Sequence, residues 1–301
     1  MKKNELNTKI IFLIIFMVFY NCKNKEEEKA LYKEEENALA KRMSMAVPKN
    51  FRERLSANTF PKDSVIKVQQ EIKQSFIKEF PNSAVSTDIL NRSKIGYGKS
   101  LTQNLFNLLT RKQQKSKKGK LISKYLELNS EVKLYDQFID FEMEDIKGEK
   151  NKISELRGKY TLLEFWSSTC KPCRASNKDL VNIYKKYQPK GFEIIGISLD
   201  NNKERWTNAI KKDKITWKNL SELNGHNNAA AFIYNVNGIP DNFLIDPNGK
   251  IIARDLPSIF LEKTLEILID GKRKNELPFL LTKGNTLQDT IIYIEKRNIR
   301  L

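Results

Sequence analysis

"KYTLLEFWSSTCKPCRASNKDLVNIYKKY", residues 159–187, is the stretch whose reading decides the fold. Its opening, YTLLEFW, is a continuous apolar strand pattern interrupted by one acid, Glu164. Its close, residues 175–187, places Leu180, Ile183, Tyr184 and Tyr187 on one helical face. Between strand and helix stand Cys170 and Cys173, two of the chain's three cysteines. A C-x-x-C at that junction admits three readings: half of a zinc site, a structural disulfide, or a redox dithiol.

Structural zinc takes four ligands. Outside the pair, only Cys22 and His226 supply sulfur or imidazole. Cys22 lies beside an apolar export-like run, and no pattern brings His226 to the pair, so no metal is expected. A permanent bridge across two intervening residues closes a very small loop and constrains the unfolded chain little. The redox reading accounts for more of the residues. Cys170 falls at the helix N-terminus, where unpaired amides and the helix dipole favour a thiolate. Lys171 and Arg174 add positive charge nearby. Pro172 suits the first turn, where a missing N–H leaves nothing unsatisfied. Cys173, deeper in the helix, is placed to attack a mixed disulfide on Cys170.

The segments downstream continue the alternation. "FEIIGISLD" reads as a buried strand, "NKERWTNAIKKD" as a helix, "ITWKNL" as a short strand and "NAAAFIY" as a short helix. "DNFLIDPNGKIIARDL" is a pair of strands around Pro247-Asn248-Gly249, and "SIFLEKTLEILID" is a closing helix that ends at Gly271. Upstream, "FIDFEMEDIKGEKNKISEL" gives two short strands around a turn with Gly148. Strands that alternate with helices and end in a hairpin define an α/β domain with a mixed sheet over residues 131–272. Residues 48–130 read as a small helical domain. There "DSVIKVQQEIKQSFIKEFP" puts Val65, Ile66, Val68, Ile72, Phe76, Ile77 and Phe80 on one broad face and stops at Pro81. Residues 273–301 form a tail with no assigned place.

The chain has 301 residues and a formal net charge of +17. A basic balance can mark a nucleic-acid binder. The most basic run, "RKQQKSKKGK" at residues 111–120, has no interleaved aromatic side chains, so it reads as a solvated break and no nucleic acid is expected. The N-terminus points elsewhere. Lysines precede the apolar run at residues 10–20, the pattern of a signal peptide over residues 1–21 and too short for a spanning helix. Cys22 follows at once, as in the lipobox of bacterial lipoproteins, although Asn21 stands where that pattern has a small residue. This implies lipidation of Cys22, a membrane anchor in the cell envelope, periplasm included, and a charged tether over residues 22–47.

With these residues in place, a resemblance can be stated. "LLEFWSSTCKPCR" together with "VNGIPDNFLIDPNGKIIARDL" resembles the TlpA/ResA-like group of extracytoplasmic thiol–disulfide oxidoreductases. The hairpin ahead of them resembles one that this group shares with the AhpC/TSA peroxiredoxins. The resemblance covers about residues 132–272. It implies a thioredoxin-like mixed sheet flanked by helices. It implies Cys170 as the attacking nucleophile, Cys173 as the resolving thiol, and Pro240 as a cis proline facing the dithiol. Ile239 would offer its backbone to an extended client segment. Trp166, Lys171, Pro172 and Asp241 would border that groove. Glu164 would be a buried acid behind Cys173 that relays its proton. The chain departs from the group at Thr169, where Trp is usual, at Ser176, where an acid is common, and at Asp241, where Thr is expected.

The function implied is a membrane-anchored oxidoreductase that reduces disulfides of client proteins, draws electrons from a membrane donor and needs no cofactor beyond its own dithiol. Two alternatives stand beside it. A peroxidase of AhpC/TSA type would carry P-x-x-x-T-x-x-C, whereas Leu163 and Ser167 occupy its Pro and Thr positions here. A lipoprotein binding module would use the fold as a scaffold, and its C-K-P-C would be idle.

Overall fold

The computed structural model describes residues 25–45, 62–156 and 159–271. The apolar N-terminal run, Cys22 and the tail at 273–301 lie outside them. The chain divides into two compact units at Leu126/Glu127.

In the first unit, residues 25–45 form helix α1. They are followed by α2 (Lys62–Glu79), α3 (Ala84–Leu108), α4 (Arg111–Gln114) and α5 (Lys117–Leu128). The expected tether is therefore helical where it is described, and it is packed. Leu39 is buried, the Tyr32 hydroxyl donates to Asp88 at 3.0 Å, and Arg42 pairs with Glu79 at 2.7 Å. Tyr32 and Leu39 sit two turns apart, so a charged segment still presents one apolar stripe. The α2 face is narrower than expected, with Val65, Phe76 and Ile77 buried while Ile66 and Val68 are exposed. The basic run at 111–120 is a short helix and the start of the next. Asp88 is buried among cations. Burial pushes its carboxyl up, but Lys118 at 2.5 Å and Arg92 outweigh this and hold it below its ordinary range.

The second unit is built on a five-stranded sheet. Its strands are β3 (Tyr160–Trp166), β4 (Phe192–Ser198), β5 (Lys218–Leu220), β6 (Asp241–Ile245) and β7 (Ile251–Arg254), in the order β5-β4-β3-β6-β7. β3–β4 and β4–β5 are parallel; β3–β6 and β6–β7 are antiparallel. A separate hairpin, β1 (Glu142–Glu144) with β2 (Lys150–Lys152), turns at Gly148, whose φ of 86° suits glycine. It reaches the sheet edge through Ser221 N donating to Glu144 O at 3.0 Å. The helices are α6 (Lys171–Tyr187), α7 (Lys203–Asp213), α8 (Ala229–Ile233) and α9 (Ser258–Leu268).

β3 is the central strand, and every residue after Tyr160 is buried, which is why its sequence is an unbroken apolar run rather than an alternating one. Alternation still sorts its side chains. Leu163 and Phe165 join one core layer with Tyr234 and Phe243. Leu162 and Trp166 join the other, with Cys173, Leu180, Trp206 and Leu261. Glu164 shares the parity of the second set. Asn129 is tied into this unit by Nδ2 bonds of 3.0 Å to both Phe232 O and Asn235 Oδ1.

Candidate functional site

β3 ends at Trp166 and α6 begins at Lys171, so residues 167–170 form a short connection at one end of the sheet. Cys170 is the N-cap of α6, and Pro172 lies in its first turn. Cys170 and Cys173 are joined as a disulfide. Cys173 is fully buried, while Cys170 is partly exposed. Cys170 Sγ accepts from Cys173 N at 3.2 Å, the geometry in which a helix N-terminus stabilises a thiolate once the bridge opens. It also lies 3.7 Å from Ile239 O. The Ile239–Pro240 peptide is cis. A cleft lined by residues 237–241, Arg254 and Asp255 adjoins this contact.

The connection itself is held from two sides. Asp200, buried just past β4, accepts from Ser168 N at 2.9 Å and from Ser168 Oγ at 2.5 Å. Its Oδ2 also accepts from Ser198 Oγ at 2.8 Å. Arg174 Nη1 donates to Ser168 O at 3.1 Å. All three polar groups of Ser168 are thereby engaged, and the backbone that leads into Cys170 is fixed.

Arg174 corrects one expectation. Its guanidinium is bound by Asp213 at the end of α7, through Nε and through Nη2 at 2.6 Å, and Asn177 Nδ2 donates to the same carboxylate at 3.0 Å. Burial pushes Asp213 up, and Arg174 and Asn177 more than offset it, so its carboxyl lies below the ordinary range. Arg174 is spent on architecture; Lys171, exposed beside Cys170, is the cation left facing solvent.

Trp166 is a second correction. It does not line a groove. It is 1% exposed, and its Nε1 donates to Asn219 Oδ1 at 2.9 Å. The indole forms part of the floor under the disulfide, in the core layer that holds Cys173.

Glu164 is also 1% exposed, and neither of its carboxyl oxygens has a well-formed hydrogen bond among the described residues. The adjacent Asn242 is committed elsewhere: Nδ2 donates to Leu256 O at 3.1 Å and Oδ1 accepts from Leu256 N at 2.9 Å. Burial pushes the Glu164 carboxyl up to about 8. The Asp241 and Asp255 charges act in the same sense, and Asn242 offsets only a part. Asp241 stands beside the cleft as expected, but it is paired with Arg254 at 2.7 Å. Burial leaves its carboxyl above the ordinary range despite that partner.

Asp200, Asn219, Asp213 and Arg254, which hold Ser168, Trp166, Arg174 and Asp241, are contacts that sequence reasoning misses. "ISLD" offers one signal, an acid directly behind a buried strand. Among the described residues no group of three or more His, Cys, Asp or Glu is placed to hold a metal, and no helix is long and apolar enough to cross a membrane.

A mixed sheet with a C-x-x-C at the head of the helix after its central strand, opposed by a cis proline, defines a thioredoxin-like domain of the dithiol class. Comparison with known proteins narrows this. Residues 134–254 match the model of the AhpC/TSA family. The chain is 31% identical over 141 residues to the thiol–disulfide oxidoreductase ResA of Bacillus anthracis, across 46% of this chain and 76% of that protein. It is 30% identical over 115 residues to a ResA of Bacillus cereus, across 38% of this chain and 65% of that one. It is 29% identical over 113 residues to ResA of Bacillus subtilis, across 38% of this chain and 62% of that one. These last two matches span less than two thirds of the relatives' own lengths. Among solved structures, a thiol–disulfide oxidoreductase from Bacteroides fragilis is 36% identical, with a TM-score of 0.42 over 44% of this chain and 99% of that one. The thioredoxin domain of another from Bacteroides vulgatus is 30% identical, with a TM-score of 0.44 over 46% and 99%. The chain belongs to the ResA-like family of thioredoxin-fold proteins.

Proposed function

We propose that this protein is a thiol–disulfide oxidoreductase that reduces disulfides in client proteins through Cys170 and Cys173. The observation that carries the reading is the Cys170 sulfur: it caps α6, accepts from Cys173 N at 3.2 Å, lies against Ile239 O, and is the accessible member of the pair. In the dithiol state, the Cys170 thiolate attacks one sulfur of a client disulfide. A mixed disulfide forms, and the first client thiolate leaves. Cys173 then loses its proton and attacks Cys170 Sγ. The second client thiolate leaves, the Cys170–Cys173 bridge closes, and two electrons have passed to the client. An outside reductant, in this reading a donor in the membrane, restores the dithiol. Glu164 lies in the same buried layer as Cys173, and a carboxyl titrating near 8 can take or return a proton near neutral pH. Ile239 and the cis Pro240 form the edge on which a client segment lies, with Lys171 and Pro172 on its far side. Cys22 is the proposed acyl acceptor that holds the protein at an envelope membrane.

Reduction of insulin disulfides by the reduced protein tests the reaction. Cys170→Ser should abolish it, and Cys173→Ser should accumulate mixed disulfide with insulin on Cys170. Turnover by the wild type no faster than by Cys170→Ser would refute the proposal. Incorporation of labelled fatty acid in the wild type and its loss in Cys22→Ser tests the anchor separately.

A further inference from the structure

Asp241, where the family pattern expects Thr, faces a residue that accounts for it. Arg254 closes β7, next to β6 in the sheet. Its Nη2 donates to Asp241 Oδ2 at 2.7 Å and its Nε to Oδ1 at 3.3 Å, a two-pronged grip. The same Nη2 donates to Asn235 O at 3.0 Å. The guanidinium also lies over the Phe243 ring, 4.7 Å from its centroid. Asn235 and Asp241 bracket residues 236–240, the segment that presents Ile239 O to Cys170. One side chain thus ties both ends of the segment that forms the client-facing edge. Asn235 itself stands at a left-handed φ of 51°, a conformation that asparagine tolerates better than most side chains.

We propose that Arg254 is a positioning residue: with Asp241 as its anchor, it clamps residues 236–240 into a preformed edge for an extended client segment. The inference rests on the reading that Cys170 exchanges with client disulfides. A preformed edge spares the client the entropy of ordering that loop, so the clamp acts on protein clients more than on small disulfides that touch only the sulfur.

The test compares kcat/KM for insulin with kcat/KM for a small aromatic disulfide such as 5,5′-dithiobis(2-nitrobenzoate). In Arg254→Met the ratio of the two should fall about tenfold, through KM for insulin. That variant also strands a buried carboxylate, so Asp241→Thr/Arg254→Met serves as the second: it should regain thermal stability while the ratio stays low. The clamp is overturned if either variant that folds keeps the wild-type ratio, or if both substrates lose equally. Failure of the wild type to turn over either disulfide would instead remove the underlying oxidoreductase reading.

Discussion

Asp200 grips Ser168 twice, accepting from its backbone N–H at 2.9 Å and from its hydroxyl at 2.5 Å. Ser168 is two residues before Cys170, and Asp200 lies beyond the neighbouring strand, so a buried carboxylate fixes the approach to the nucleophile. Asp200→Ala leaves three donors, Ser168 N, Ser168 Oγ and Ser198 Oγ, without that acceptor, at about 1–3 kcal/mol for each that stays buried. The expected result is a loss of roughly 2–4 kcal/mol in urea unfolding, with disulfide exchange at Cys170 slowed about tenfold by misplacement of the sulfur. Asp200→Asn should recover part of both, since its amide oxygen can still accept from Ser168 N. An Asp200→Ala protein as stable as wild type would show that the grip is incidental.

Gly196, in the middle of β4, leaves the space in which Trp166 and Asn219 meet. A Cβ there would run into Asn219 Oδ1 and come within 3.0 Å of Trp166 Nε1. Gly196→Ala should therefore break the Trp166–Asn219 bond and displace the indole under Cys173. A cost of about 2–4 kcal/mol is expected from overpacking plus a lost buried hydrogen bond. Paired urea melts of Gly196→Ala and Asn219→Ala, with a blue or red shift in tryptophan emission, check it; additivity of the two in the double variant would sink the idea of a shared contact.

Gly119 plays a comparable part in the first unit. A Cβ on it would collide with the backbone carbonyls of Gln113 and Gln114, so α4 and the start of α5 meet with no room for a side chain. Gly119→Ala ordinarily favours a helix by up to about 1 kcal/mol; here a net loss of about 2 kcal/mol or more is expected. A raised melting temperature would contradict the packing.

These relations mark what the sequence can and cannot disclose. The strand, the C-x-x-C and the helix of residues 159–187 are legible because period, cap and proline all agree locally. Glu164 is legible for the opposite reason, as one acid inside an apolar run. Asp200, Asn219, Asp213 and Arg254 are not, because each acts on a partner brought near only by the sheet or by helix packing: Trp166 and Asn219 are 53 residues apart, Arg174 and Asp213 are 39. Trp166 misleads because a tryptophan beside a reactive pair fits a groove as well as a floor, and only burial separates them. Pro81 reads as the stop of one helix, and α2 does end at Glu79; what the sequence does not disclose is that Ser83, accepting from Val85 N and Ser86 N, starts α3 at once.

The buried carboxyl of Glu164 makes stability depend on pH with a definite sign. Its pKa rises from 4.5 to about 8 on folding. Below 4.5 both states hold the proton, and the group is neutral to stability. Between 4.5 and about 8 the folded state keeps a proton that the unfolded state has lost. Stability therefore falls as pH rises through that window, by about 1.4 kcal/mol per unit, and levels off above it. Glu164→Gln copies the protonated shape without titrating. It should match wild type near pH ~4 and exceed it by roughly 3–5 kcal/mol near pH ~8.5. The same variant has no proton to exchange, so closure of the mixed disulfide by Cys173 should slow, and the limb of the pH–rate profile near 8 should vanish. Urea midpoints at the two ends of the window check the first point: a wild-type-to-variant difference that is the same at both would mean that the carboxyl is ionised at neutral pH, and the proposed proton relay would go with it.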